Sequence, residues 1–190
     1  PTRKYWPGAS VALGKVAPEY PDTNFAIIDD ASLADAPNVA SLVFAEEQGS
    51  FLVGSIAAQA SKTGTIGFMG GVNVPLIQKF QAGFEQGAKA INPDSKVQVK
   101  YLTAPPDFSG FNDAAKGQTA AQGMFDKDAD VIYAAAGGSG AGAMKVAKVG
   151  SQWVIGADVS QEQNAPGYEA FVIRKGVDTG VYQAIEQVVN

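Results

Sequence analysis

The sequence contains no cysteine and no histidine, and each absence excludes a class of chemistry. Without cysteine the chain has no disulfide, no thiolate nucleophile and no cysteine-ligated metal. Without histidine it has no Ser-His-Asp triad and no histidine-bound zinc. Catalysis by carboxylates, lysine or tyrosine stays possible, but the commonest acid–base side chain is missing. The composition therefore favours a binding protein over an enzyme.

Long hydrophobic runs and basic clusters are also missing. The 190 residues are 46% hydrophobic and 17% charged, with a net charge of −5. The apolar runs fall far short of the roughly 20 residues that span a bilayer. Because the sequence has no run rich in lysine and arginine, we expect no nucleic-acid partner. A chain of this length can bury roughly 70% of its unfolded surface, enough for one large domain or two small lobes.

Strand and helix patterns alternate along the chain. Strands separated by helices of these lengths form parallel βαβ units, so the pattern predicts a doubly wound α/β sheet. Such sheets bind ligands at the carboxyl ends of their strands. The predicted strands are 24–29, 39–44, 65–69, 97–102, 129–136, 153–156 and 170–173, and the predicted helices are 9–18, 46–61, 75–91, 113–125, 141–148 and 177–189.

A glycine-rich segment, GGSGAG at 137–142, connects a predicted strand to a predicted helix. Bare backbone N–H groups beside a helix N-terminus can bind a polar ligand. Three interpretations stay open: a tight turn with close helix–sheet packing, a backbone site for a neutral polar ligand, and a phosphate site for a nucleotide. A P-loop is excluded because the segment lacks a Gly-Lys-Ser/Thr ending.

Two aspartates, Asp29 and Asp158, follow apolar strands. A carboxylate at such a position can accept two hydrogen bonds from vicinal hydroxyls, which suits a sugar ring. A single aspartate there more often caps the next helix, but two of them at strand ends favour a site. Lys175 precedes the last predicted helix. It could donate to a ribose hydroxyl, pair with one of the aspartates, or remain a solvated surface lysine.

Two aromatic residues, Phe108 and Phe111, lie in the Pro/Gly-rich connection after predicted strand 97–102. An exposed aromatic ring on a loop can stack on a flat ligand. The alternative is that each ring folds back to cover the core. Both interpretations stay open for each ring.

Several segments together resemble the basic membrane lipoprotein family, whose PnrA-like branch contains purine-nucleoside receptors. The resemblance extends from about Lys15 to Val189. It is carried by FAIID, NVASLVFAEEQGSFLVGSIAA, KTGTIGFMGG, FQAGFEQGAKAINPDSKVQVKYL, GFNDAAKGQTAAQGMFDKDADVIYAAAGGSGAG and WVIGAD. It implies a type I periplasmic-binding-protein fold, in which two α/β lobes close on a ligand between them.

The resemblance also implies a binding site. In the family the base stacks between aromatic rings, and aspartates and a lysine hold the ribose. The matching positions are Asp29, Phe111 (with Phe108 as second choice), Gly137, Gly138, Asp158 and Lys175, and Gly140 also fits the glycine turn. The resemblance implies no catalytic residue, no metal and no cofactor.

The sequence departs from the family pattern at both ends. It lacks the family's opening glycine-rich strand with an Asp-x-Ser-Phe-Asn segment, and the family continues beyond the helix that ends near Asn190. Before Lys175 the family usually has Thr-Ser, where this sequence has FVIR at 171–174. We therefore expect an incomplete first lobe of residues 1–61 plus 169–190, an intact second lobe of residues 62–168, and one wall of the site missing.

The resemblance predicts an extracytoplasmic receptor that captures a purine nucleoside, such as guanosine, inosine or adenosine, for an ABC permease. It implies a monomer held at the cell membrane by a lipid anchor on a segment outside this sequence. Two alternatives stay open: a sensory module of the same fold, and an enzyme that acts on nucleosides or sugars.

Overall fold

The computed structural model describes residues 8–150, 152–164 and 166–189 and divides into two compact units. Among these residues, the first unit ends at Phe44 and resumes at Lys175, and the second unit comprises Ala45–Arg174. Each unit holds its own parallel sheet. The chain therefore leaves the first unit once and returns to it once.

The helices and strands follow the predicted order, and each predicted element is present with ends shifted by at most a few residues. The 3-10 turns at Ser109–Phe111 and Gly137–Ser139 precede helices of the second unit. The helices are α1 (Ala9–Val16), α2 (Glu46–Ala60), α3 (Pro75–Ile91), α4 (Ala114–Phe125), α5 (Gly140–Gly150) and α6 (Val177–Val189), and the strands are β1 (Phe25–Ile28), β2 (Val39–Leu42), β3 (Thr65–Val72), β4 (Lys96–Thr103), β5 (Val131–Ala135), β6 (Trp153–Asp158) and β7 (Glu169–Arg174).

The sheet of the second unit is parallel throughout, in the order β4-β3-β5-β6-β7. Successive residues of β5 face opposite cores: Tyr133 packs with α2 and α3, whereas Ile132 packs with α4 and α5. Because helices cover both faces, β3 and β5 are buried along their whole lengths, as their apolar sequences require. The predicted doubly wound parallel sheet is confirmed in this unit.

Helices α2 and α3 cross at very short range because glycines line the contact. A Cβ atom built at Gly87 would lie 1.9 Å from the carbonyl oxygen of Phe51, and one built at Gly83 would lie 2.1 Å from that of Glu47. The Ser55 hydroxyl also donates to the carbonyl of Gly87 at 3.1 Å. The backbones themselves form this contact, which fixes α2 within the second unit.

The boundaries of the two units differ from the expected lobes of 1–61 plus 169–190 and 62–168. Helix α2 belongs to the second unit through its contact with α3, and β7 belongs there because it pairs with β6 along Ile155–Asp158. In the described residues, the first unit contains the two-stranded sheet β1-β2. Periodicity shows that a segment is a strand but not which sheet it joins. Residues 1–7 of the expected first lobe lie outside the described residues.

Candidate functional site

The two aspartates that follow strands share an uncommon backbone conformation. Asp29, directly after β1, and Asp158, the last residue of β6, both have φ of +67°. Residues other than glycine rarely adopt this left-handed backbone conformation, although aspartate and asparagine tolerate it better than others. Strained backbone of this kind clusters at functional sites because the surrounding structure has to hold it. Both lie at the carboxyl ends of parallel strands, where open α/β sheets bind ligands.

In the first unit, Asp29 binds Lys175. The Lys175 Nζ donates to Asp29 Oδ1 at 2.6 Å, and it lies 5.1 Å from the centroid of the Phe44 ring. The Lys175 side chain is 7% exposed and that of Asp29 21%, so the pair is largely removed from water. The prediction that Lys175 could pair with an aspartate is confirmed, and the surface interpretation is wrong. The Asp29 carboxylate can also accept a hydrogen bond from a ligand hydroxyl, and the Lys175 ammonium can donate one to a second hydroxyl.

The helix-capping interpretation of Asp29 is also unsupported by its contacts. The neighbouring Asp30 makes the local turn, since its carboxylate accepts a hydrogen bond from the Ser32 N–H at 2.8 Å. Hydrogen bonds from Ser32 lower the pKa of Asp30. The backbone N–H of Asp29 donates instead to Leu42 of β2 at 2.9 Å. The Asp29 side chain is left to engage Lys175.

In the second unit, the glycine turn Gly137–Ser139 follows β5. Gly137 has φ of +54°, a conformation that favours glycine, and Gly138 is exposed. Farther along, a Cβ atom at Gly142 would lie 2.0 Å from the carbonyl oxygen of Ala114 in α4. Close packing thus accounts for Gly142, whereas Gly137 and Gly138 form the turn itself. Backbone binding of a ligand at Gly137 and Gly138 stays a prediction.

The side chain of Gln161 holds the glycine turn in place. Its side-chain amide donates to the carbonyl of Gly137 at 3.0 Å, and a Cβ atom at Gly140 would lie 3.2 Å from its Nε2. The backbone N–H of Gln161 donates in turn to the carboxylate of Glu169, which also accepts from the Ser160 hydroxyl. Sequence patterns gave no indication of this support, because Gln161 lies in an irregular segment.

The aromatic loop, residues 103–113, carries both aromatic candidates. Phe108 and Phe111 are half-buried and pack against the core that contains α2 and α3. The Phe111 ring covers the end of β3, where a Cβ atom at Gly71 would lie 2.4 Å from it. Both rings therefore cover core, and each keeps an exposed part. Stacking of Phe111 or Phe108 on a ligand stays a prediction.

Polar contacts fold the aromatic loop tightly. The Thr103 hydroxyl donates to the carbonyl of Asp107 at 2.6 Å, and the Asp107 carboxylate accepts from the Ser109 N–H at 2.8 Å. The hydrogen bonds from Ser109 lower the pKa of Asp107. Lys116 of α4 lies 3.8 Å from the carboxylates of Asp107 and Asp113, which gives the loop an ionic contact with the helix.

The second unit also buries a tyrosine, Tyr133, that no sequence pattern marked as functional. Tyr133 is fully buried among the rings of Phe68, Phe80 and Phe84, and its hydroxyl lies 3.3 Å from that of Ser50. Burial raises the pKa of Tyr133 well above its ordinary value, and the negative charges of Asp158 and Glu46 add to the effect. Because Tyr133 lies within an apolar strand, the sequence indicates only that its side chain belongs to the core.

Within the part of the chain that the structure describes, none of the helices combines the length and apolar character needed to cross a bilayer.

Comparison with protein families gives a match over nearly the whole chain. The model of the family described as "ABC transporter substrate-binding protein PnrA-like" matches residues 8–190. Among curated proteins, the "CD4+ T-cell-stimulating antigen" of Listeria monocytogenes is 40% identical over 157 residues, which are 79% of this chain and 42% of the relative. The "ABC transporter nucleoside-binding protein BmpA" of Lactococcus lactis is 38% identical over 159 residues, covering 80% of this chain and 43% of the relative.

A solved structure shares the fold. The solute-binding protein of an ABC transporter system from Aeropyrum pernix K1 superposes with a TM-score of 0.82 at 31% identity, covering 93% of this chain and 51% of that chain. The expected fold class, that of the type I solute-binding proteins, is confirmed. The present chain spans about half the length of each of these three relatives.

Proposed function

This chain belongs to the PnrA-like family of ABC transporter substrate-binding proteins, and on that premise we propose that it binds a purine nucleoside without converting it. The observation that carries the proposal is the ion pair of Asp29 and Lys175, which is largely removed from water. Its two groups can accept from and donate to the vicinal hydroxyls of a ribose. The Lactococcus lactis relative, named a nucleoside-binding protein, supports the ligand class.

The proposal gives each candidate residue a role. Asp29 and Asp158 accept hydrogen bonds from ribose hydroxyls, and Lys175 donates one. Phe111 stacks on the base, with Phe108 as the alternative ring. The backbones of Gly137 and Gly138 provide polar groups that need no side chain.

A binding site of this kind suits capture better than catalysis. Neutral hydroxyls meet charged groups that are already paired and oriented, so the ligand does not have to organise them. We propose that the receptor works outside the cytoplasm as a monomer and delivers its nucleoside to an ABC permease. A lipid anchor on a segment outside this sequence would hold it at the membrane.

Calorimetric titration with guanosine, inosine and adenosine tests the proposal, with uridine and free ribose as comparisons. We expect saturable heat with at least one purine nucleoside and weaker binding of uridine and ribose. Incubation followed by analysis for free base tests the absence of conversion. If no purine nucleoside gives heat, the proposal is wrong, and release of free base would favour an enzyme.

Two neighbouring aspartates provide a matched pair of variants. Asp29→Asn removes the negative charge of the side chain that accepts hydrogen bonds from ribose. It should weaken binding about 10- to 100-fold, the usual loss for a charge-assisted hydrogen bond. Asp30→Asn changes the adjacent carboxylate but keeps an oxygen that can accept from Ser32. It should bind as the unaltered chain does. Equal losses in the two variants would contradict the role of Asp29.

A further inference from the structure

We propose that Ser139 is a positioning residue of this site, whose buried hydroxyl holds the aromatic loop against the glycine turn and so sets the position of Phe111. The inference rests on the proposed nucleoside-binding function. It adds a residue that neither the sequence motifs nor the similarity to relatives assigned a role. Ser139 does not contact the ligand in this proposal and acts through Phe111.

One hydroxyl joins the glycine turn to the aromatic loop at two points. Ser139 belongs to the glycine turn and is fully buried. Its Oγ donates to the carbonyl of Gly110 at 2.7 Å and accepts from the backbone N–H of Asp113 at 2.7 Å. Gly110 lies within the aromatic loop, next to Phe111, and Asp113 caps the N-terminus of α4 by accepting from the Lys116 N–H. The hydroxyl therefore uses both its donor and its acceptor capacity on backbone groups.

Two glycines lie where these segments closely approach backbone atoms of their neighbours. A Cβ atom at Gly110 would lie 1.9 Å from the carbonyl oxygen of Gly71 at the end of β3. One at Gly137 would lie 3.0 Å from the carbonyl oxygen of Phe111. Backbone meets backbone on both sides of Phe111, so hydrogen bonds to the backbone help to decide where the ring lies, together with its packing against the core. Among these segments, the Ser139 side chain supplies two such bonds.

Removal of the hydroxyl leaves two backbone groups without their partner. Buried groups in that state cost much more than the net value of a hydrogen bond, so the loop is expected to shift until water or another donor satisfies them. A shift of the Phe111 ring would reduce its overlap with a stacked base. We therefore expect Ser139→Ala to raise the dissociation constant for guanosine about tenfold, because poorer stacking of the Phe111 ring removes only part of the binding free energy.

Calorimetric titration with guanosine compares this variant with a matched control. Ser95→Ala also removes a buried hydroxyl, but one that has no hydrogen-bond partner among the described residues. The control should bind as the unaltered chain does. Ser139→Cys keeps the shape with a weaker hydrogen-bonding group and should fall between Ser139→Ala and the unaltered chain. This graded variant also serves if Ser139→Ala folds poorly.

A double-mutant cycle separates positioning from a general structural role. Phe111→Leu keeps apolar bulk over Gly71 but removes the ring that stacks. If Ser139 acts through Phe111, Ser139→Ala should change guanosine affinity less than about twofold in the Phe111→Leu background, because the coupled effect is already lost. A merely structural contribution would cost the same in both backgrounds.

Hydrogen exchange gives a second measurement. In Ser139→Ala the Asp113 amide should exchange faster, while the amides of α3 keep their protection. Unchanged affinity in Ser139→Ala, or an undiminished loss in the Phe111→Leu background, would overturn the inference and leave the proposed function intact. If the unaltered chain binds no nucleoside, the proposed function fails and the inference fails with it.

Discussion

The hydroxyl of Tyr133 couples the stability of the second unit to alkaline pH. Burial raises its pKa in the folded protein, while the unfolded chain titrates near the ordinary value of about 10. Below that pH both states hold the proton, so the contribution of Tyr133 to stability is constant. Above it the unfolded state loses the proton first, and the free energy of unfolding falls as pH rises.

Tyr133→Phe should therefore reduce the alkaline sensitivity of the protein. At pH 8 the variant should lose about 1 kcal/mol, because Ser50 loses the partner of its hydroxyl. Between pH 9 and 11 the unaltered chain should lose about 1.4 kcal/mol more than the variant does, one pH unit of titration in the unfolded state. Urea denaturation across this range measures both values.

Tyr182→Phe is the control for this prediction. Tyr182 lies on α6 with 66% of its surface exposed, so its hydroxyl is not buried as that of Tyr133 is. The control should follow the pH dependence of the unaltered chain. If Tyr133→Phe loses stability above pH 10 as steeply as the control, the buried hydroxyl is not the group responsible.

Among the helices, the contact of α2 with α3 gives the clearest prediction. Gly87→Ala adds a methyl group where the carbonyl of Phe51 already lies, and it should destabilise the protein by about 2 kcal/mol or more. Helix propensity alone predicts the opposite sign, a gain of about 1 kcal/mol. Thermal or urea unfolding, followed by circular dichroism, measures the change.

Gly123 in α4 supplies the matched control. It is exposed, and a Cβ atom there would lie more than 4 Å from the other described residues that could obstruct it. Gly123→Ala should stabilise the protein by about 0.5–1 kcal/mol. Stabilisation by Gly87→Ala as well would show that the two helices can separate at little cost.

Helix α2 shows what the sequence could and could not predict. The sequence predicts a helix at 46–61 correctly, yet it does not reveal that α2 packs on α3, because the glycines of the contact resemble breaks in a helical pattern. The same holds for β7, whose residues predict a strand but not its pairing with β6. Local pattern fixes elements well, while membership of a sheet depends on contacts far apart in the chain.

The candidate site divides in a similar way. Asp29 and Asp158 could be named because each follows an apolar strand, and Lys175 because it precedes the last helix and matches the lysine of the family. Ser139 and Gln161 could not, because a serine or glutamine in an irregular segment is ordinary. The residues that we propose to contact the ligand are marked in the sequence, whereas Ser139 and Gln161 become recognisable only through their hydrogen bonds.

For the molecule as a whole, a ligand that binds the folded state alone should raise its thermal stability. Guanosine at about 100 times its dissociation constant should add about 2.7 kcal/mol. For a chain of this size that corresponds to a rise in Tm of about 5–10 °C. Scanning calorimetry with and without guanosine measures the shift.

Asp29→Asn at the same guanosine concentration should lose most of this shift, and Asp30→Asn should retain it. Free ribose at equal concentration should give a smaller rise than guanosine, because it lacks the base that Phe111 would cover. A Tm that does not depend on guanosine concentration would contradict the proposed binding.

The left-handed backbone of Asp29 and Asp158 has a consequence for mutational tolerance. In a saturation library selected for folding alone, glycine and asparagine should outrank glutamate at both positions, although only glutamate keeps the charge. Selection for nucleoside capture should reject all three. Asp128 shares the conformation, with φ of +70°, but lies exposed in a turn after α4. There the two selections should agree, so the three aspartates of one geometry would separate into two that nucleoside capture requires and one that folding alone explains.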